Sequence, residues 1–127
     1  MGWWKTGLRY GLMVSAMFLG GFVAVRSEQA VTQRFPQFEN EDVKVWKTVV
    51  LPHQPLTLHH HDHPRVLVAL KGGTMNMADS SGAVETHVWE TGKAYWLPAM
   101  TPGAMHMDAN AGESPIEVMV VELQKEK

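Results

Sequence analysis

From Val43 to Leu123 the sequence is cut into short apolar segments, each broken by proline, glycine or a polar turn before a helix could form. Val43 to Leu51, VKVWKTVVL, is rich in β-branched and aromatic residues and stops at Pro52. Leu56 to His61 reads as a second strand, whose period of two puts Thr57, His59 and His61 on one face and Leu58 and His60 on the other. Val66 to Leu70 is a third, closed by Gly72-Gly73. The turn signal DSSG, Asp79 to Gly82, predicts a hairpin between residues 74–78 and 84–89. Ala94 to Leu97 runs into the Pro/Gly-rich loop Pro98 to Gly103, and Ile116 to Leu123 is the last strand before a charged tail. No helical period follows residue 42. Seven or eight short strands at regular spacing predict an all-β sandwich or barrel, and periodicity alone does not choose between the two.

The first thirty residues are of another kind. Lys5 and Arg9 precede Tyr10 to Val25, which carries no charge. Such a run predicts an N-terminal hydrophobic helix over residues 1–26, a signal peptide or a short membrane anchor, with the N-terminus on the cytoplasmic side. Around the end of the run Arg26 and Glu28 spoil the small-residue pattern of a cleavage site, which favours an anchor through residues 10–25. A soluble helix is the alternative, and Gly7, Gly11, Gly20 and Gly21 weigh against it at about 1 kcal/mol each. Residues 27–42 are polar, contain Pro36 and read as a linker, so the expected domain spans 43–124. These features place the protein in the cell envelope, membrane-anchored with its domain outside the cytoplasm, or periplasmic or secreted if the signal is removed.

A formal net charge of −2 without a basic patch gives nucleic-acid binding no support. The absence of cysteine excludes disulfides, thiolate ligands and a cysteine nucleophile. No Ser-His-Asp arrangement, phosphate loop or carboxylate pair stands out.

Histidine does stand out. Four of the seven lie between His59 and His63, and His106 stands alone more than forty residues later. His59 and His61, two apart on a strand, point the same way. A third histidine from a neighbouring strand would complete a set of nitrogens suited to a divalent ion: iron, zinc, manganese, copper or nickel. His61 with His63 is the other register, and an exposed, metal-free cluster is the plainer reading. His60 is expected to point away, His53 and His87 to lie at the surface, and Asn110 to serve a turn. Trp89, Tyr95, Trp96, Met105 and Met107 are read first as packing, or else as the apolar wall of a pocket.

Two stretches resemble the motifs of the cupin family, small β-barrels of jelly-roll type. The first motif runs G(X)5-HXH-(X)3-4-E-(X)6-G, and here His59-His60-His61, a three-residue spacer and Gly72 fall in place. The second runs G(X)5-PXG-(X)2-H-(X)3-N, matched in order by Gly92, Pro98, Gly103, His106 and Asn110. The resemblance implies a single cupin barrel with His59, His61 and His106 as metal ligands. Three departures stand out: His53 replaces the first glycine, seven residues separate Pro98 from His106 where the pattern has four, and Arg65 occupies the glutamate position. If Arg65 faces the pocket, it would pair with a carboxylate or phosphate of a substrate. By resemblance to three-histidine cupins the function would be that of an oxygenase-like enzyme on a small-molecule ligand. The alternatives are a metal-free binding or sensing module and an interaction role as a homodimer.

Overall fold

A computed structural model describes residues 30–125. The apolar run Tyr10 to Val25, and the anchor or signal expected there, lie outside the described residues. Eight strands follow in order: β1 Gln33–Glu39, β2 Val43–Val50, β3 Arg65–Lys71, β4 Gly73–Asp79, β5 Val84–Trp89, β6 Ala94–Leu97, β7 His106–Asn110 and β8 Ile116–Leu123. They form a five-stranded sheet, β1-β2-β8-β3-β6, facing a three-stranded sheet, β5-β4-β7. All described pairings between strands are antiparallel. Among the described residues no helix is long and apolar enough to cross a membrane.

Period-two alternation builds the core. Trp46, Thr48 and Val50 on β2 stand opposite Val120, Val118 and Ile116 on β8. Leu67 and Ala69 of β3 meet Val120 and Val118 from the other side. The apolar side chains among these pack with Met75 and Trp89 of the smaller sheet into one buried cluster. Val50 and Ile116 are each only 1% exposed, so each contributes roughly 1.5–3 kcal/mol of burial.

Three segments differ from the sequence expectation. Gln33 to Glu39, expected within the 27–42 linker, is β1, so the domain begins about ten residues before Val43. Its residues are all exposed, and Pro36 is tolerated because β1 is an edge strand, where a missing N–H breaks no ladder. Leu56 to His61, expected as a strand, makes only an isolated bridge, because Pro52, Pro55 and Pro64 bracket it too closely for a ladder. His106 to Asn110, not expected as a strand, is β7 and pairs with β4.

The motif glycines have steric reasons. A Cβ at Gly72 would stand 2.0 Å from the Trp89 carbonyl oxygen. Gly92 has φ +85°, and His53, at the motif's first glycine position, keeps the left-handed backbone with φ 60°.

Candidate metal centre

The site lies where the proline-bracketed segment crosses β7. The His59 N–H donates to the His106 carbonyl (2.8 Å), and the His106 N–H donates back to the His59 carbonyl (2.9 Å). This pair of bonds fixes the two backbones side by side and aims both imidazoles into the barrel. His61, two residues on, joins them. Ligand-capable atoms of His59, His61 and His106 all lie within 4.8 Å of one another. His63, the partner in the other register, is not in this group.

Hydrogen bonds decide which nitrogens are free. The His59 Nδ1–H donates to the Thr57 carbonyl (2.7 Å), so His59 Nε2 is a bare lone pair. The His61 Nδ1–H donates to Glu122 Oε2 (3.2 Å), which leaves His61 Nε2 bare as well. Trp46 stacks parallel to the His61 ring, 6.3 Å between centroids, and helps hold its plane. His106 Nε2 lies 3.0 Å from His59 Nε2. Outer nitrogens anchored on a carbonyl and a carboxylate, with inner nitrogens converging, are how proteins orient imidazoles toward a metal. Burial and then the charge of Arg65 push His61 down to about 2. Burial also pushes His59 and His106 below the ordinary imidazole value. All three are therefore neutral at pH 7, the form that ligates. Both the donor set and the protonation state fit a divalent ion.

Arg65 faces the pocket and is buried, 4% exposed. Its guanidinium donates to the Pro98 carbonyl (3.3 Å) and has no carboxylate within ion-pair distance among the described residues. Arg34 of β1 lies over the Trp46 ring, 5.2 Å from its centroid, and borders the same interior space. Inside the barrel, between Arg34, His61, Arg65 and Asp108, that space is about 40 Å³. A larger groove of about 580 Å³ opens on the other side of Arg65 and His106, walled by Met77, Leu97, Met100 and Met105. The lengthened loop after Pro98 forms much of that wall. It is tied to the histidine segment where Met100 N–H donates to the His61 carbonyl (2.9 Å) and the His60 ring bonds the Ala104 carbonyl.

The remaining expectations divide. His60 points away from the triad, and His53 is exposed. His87, expected at the surface, is half-buried, stacked on Trp89 and facing the groove. Met105 lines the groove, Trp89 and Tyr95 pack edge to face in the core region, and Trp96 is 59% exposed and lines neither space. Asn110 serves the turn: its amide donates to the Val50 and Ser114 carbonyls and its oxygen accepts from Gly112 N–H.

Sequence reasoning missed Asp108, Glu122 and Arg34. Each carries a signal once its strand is known. Asp108 follows His106 by two on β7, Glu122 continues the inward row Ile116, Val118, Val120, and Arg34 stands opposite inward Thr48.

No protein-family model and no curated protein matches this sequence. Solved structures do match. A cupin domain from Bordetella pertussis Tohama I is 21% identical, with TM-score 0.66 over 78% of this chain and 99% of that one. An RmlC-like cupin family protein with a double-stranded β-helix fold, from Methanocaldococcus jannaschii, is 17% identical, with TM-score 0.58 over 76% and 84%. An RmlC-like cupin protein from Desulfovibrio desulfuricans is 18% identical, with TM-score 0.55 over 93% and 98%. This chain therefore has the cupin fold.

Proposed function

We propose that the protein is a metal-binding cupin of the cell envelope that acts on a small anionic molecule, with oxygenase-like chemistry. The observation that carries the metal reading is the anchoring of His59 and His61. Each has Nδ1 committed to an outer partner, so bare nitrogens converge beside His106 in a neutral, mostly buried site. A divalent ion held there, iron, zinc, manganese, copper or nickel, would supply Lewis acidity and open positions for a ligand.

The chain's own residues define what that ligand can be. Arg34, Arg65 and Asp108 line the interior space and Glu122 holds His61, two charges of each sign, so a dication would leave the site positive and receptive to an anion. Arg65, buried with one long hydrogen bond, offers unspent donors to a carboxylate. The methionine-lined groove beside it is of a size for a small molecule and would shed water from the apolar part of the ligand. The oxygenase-like class rests on the resemblance to three-histidine cupins, and the envelope location on the uncharged run Tyr10 to Val25 with Lys5 and Arg9 before it.

The test is elemental analysis of the full chain, expressed with each of the five metals in turn. One equivalent in the native protein, lost in His59→Ala and His106→Ala, supports the centre; no metal above background ends the reading. Dioxygen consumption over a panel of small carboxylates then separates an enzyme from a binding or sensing cupin, which would bind without turnover. Recovery of the full chain in the soluble fraction of lysed cells would count against the anchor. Sedimentation tests the homodimer, for which the free edge of β1, with Phe38 58% exposed, is the contact we assign. Phe38→Glu should shift a dimer to monomer, and an unchanged dimer would put the contact elsewhere.

A further inference from the structure

We propose that Asp108 is a fourth ligand of the same centre, a carboxylate supplied from β7 where the motif on β3 carries Arg65. This inference rests on the metal reading above. His106 and Asp108 are two apart on β7 and share its inner face. The Asp108 carbonyl accepts the Leu56 N–H (2.9 Å), which pins this backbone beside the histidine segment.

The set of ligand atoms within 4.8 Å of one another is His59, His61 and His106, and the Asp108 carboxylate borders it with its oxygens turned toward two of the three. Asp108 Oδ2 lies 3.5 Å from His59 Nε2. That nitrogen bears no proton, because the His59 proton sits on Nδ1 and donates to Thr57. Two acceptors therefore face each other in a pocket where both side chains are only 15% exposed. That contact is not a hydrogen bond, and a cation placed between the two would satisfy both lone pairs. Asp108 Oδ1 is buried with no hydrogen-bond partner among the described residues, and at 3.8 Å from His106 Nδ1 it is too far to accept a bond from it. Leaving such an oxygen bare is costly. Ligand atoms about 2.0–2.2 Å from one ion, in tetrahedral or octahedral directions, stand roughly 3.0–3.5 Å apart. The His59–Asp108 separation, 3.5 Å, falls in that range, while the 3.0 Å contact between His106 and His59 is a hydrogen bond from His106 Nε2–H that a bound ion would replace. Asp108 thus supplies the negative charge that the arginine on β3 does not.

Cobalt(II) titration of the full chain tests this, since its visible spectrum reports the ligand set. The native protein should bind one equivalent. Asp108→Asn should bind at least tenfold more weakly with an altered spectrum, while Asp108→Glu keeps stoichiometric binding with a shifted spectrum. His59→Ala should bind none. Native affinity and spectrum in Asp108→Asn would overturn the proposal, and so would weaker binding with an unchanged spectrum, which is the behaviour of a residue that only positions the histidines. If Asp108→Asn does not fold by circular dichroism, Asp108→Glu decides, and a native spectrum there overturns the proposal. No cobalt in the native protein would sink the three-histidine reading itself, and this proposal with it.

Discussion

Lowering the pH from 7 to 5 in the presence of a chelator should destabilise the domain by about 2 kcal/mol or more, and His61 sets the minimum. Its folded value lies at about 2, through burial and then Arg65, against about 6.5 in an unfolded chain. A group whose folded value is depressed leaves the unfolded state binding more protons, so stability is complete above about pH 6.5 and falls as the pH falls. The loss runs at about 1.36 kcal/mol per pH unit below that point, which integrates to about 2 kcal/mol between pH 7 and 5. Any folded value below roughly 4 gives the same result over this interval. His59 and His106 are shifted in the same direction by burial, so their contributions add. Asp79 is held below its ordinary carboxylate value by Ser81, a shift away from this interval. For a domain of about one hundred residues, 2 kcal/mol is roughly 8–16 °C in Tm. Urea unfolding followed by tryptophan fluorescence at pH 7, 6 and 5 measures the slope directly. His61→Gln should reduce it by about one proton's worth. A flat stability from pH 7 to 5, or an identical slope in His61→Gln, would refute the argument that His61 is buried neutral beside a guanidinium.

Other substitutions test the supports of the site. Glu122→Ala should weaken metal binding about 10–100-fold without changing stoichiometry, because the His61 Nδ1–H loses its acceptor; unchanged affinity in a chelator competition would remove Glu122 from the site. Gly72→Ala forces a Cβ against the Trp89 carbonyl and should cost about 3 kcal/mol or more; a Tm within a few degrees of native would mean the two strand ends separate freely. His53→Gly should stabilise by about 0.5–1 kcal/mol, since His53 is exposed and holds a left-handed φ that glycine adopts without strain; a lower Tm would show that the side-chain contact with Glu113 outweighs the backbone.

What the sequence shows and hides follows from how much each segment depends on distant partners. β6 and β8 have the bounds that alternation predicts, because every second residue of Ile116–Leu123 is needed in the core. The histidine pair was legible because a strand-like period aims alternate side chains together even where no ladder forms. β1 was not legible. Its composition is that of a linker, its residues are all exposed, and only its pairing with β2 makes it a strand. β7 was hidden for a related reason: HMDAN is apolar at only two of five positions, and its pairing with β4 fixes what its composition does not.

The charges of the site show why a motif read along one strand can mislead. Arg65 at the glutamate position reads as a missing ligand and an uncompensated ion. In the fold, Arg65 stands directly across from Glu122 of β8, and Glu122 is turned to the outer nitrogen of His61. The carboxylate nearest the inner nitrogens comes instead from Asp108, on a strand of the other sheet. Acid and base have thus changed strands around the same three histidines. Burial first, and then Arg65, keeps the imidazoles neutral, against the opposing pull of Asp108 on His106. The exchange also turns a guanidinium with free donors toward the groove where a ligand would enter. A glutamate restored at position 65 would therefore do more than add a ligand. It would remove the group we assign to the anion and raise the proton affinity of the imidazoles. Arg65→Glu should accordingly bind metal while losing affinity for small carboxylates, and carboxylate binding equal to native would show that the anion is held by the metal alone.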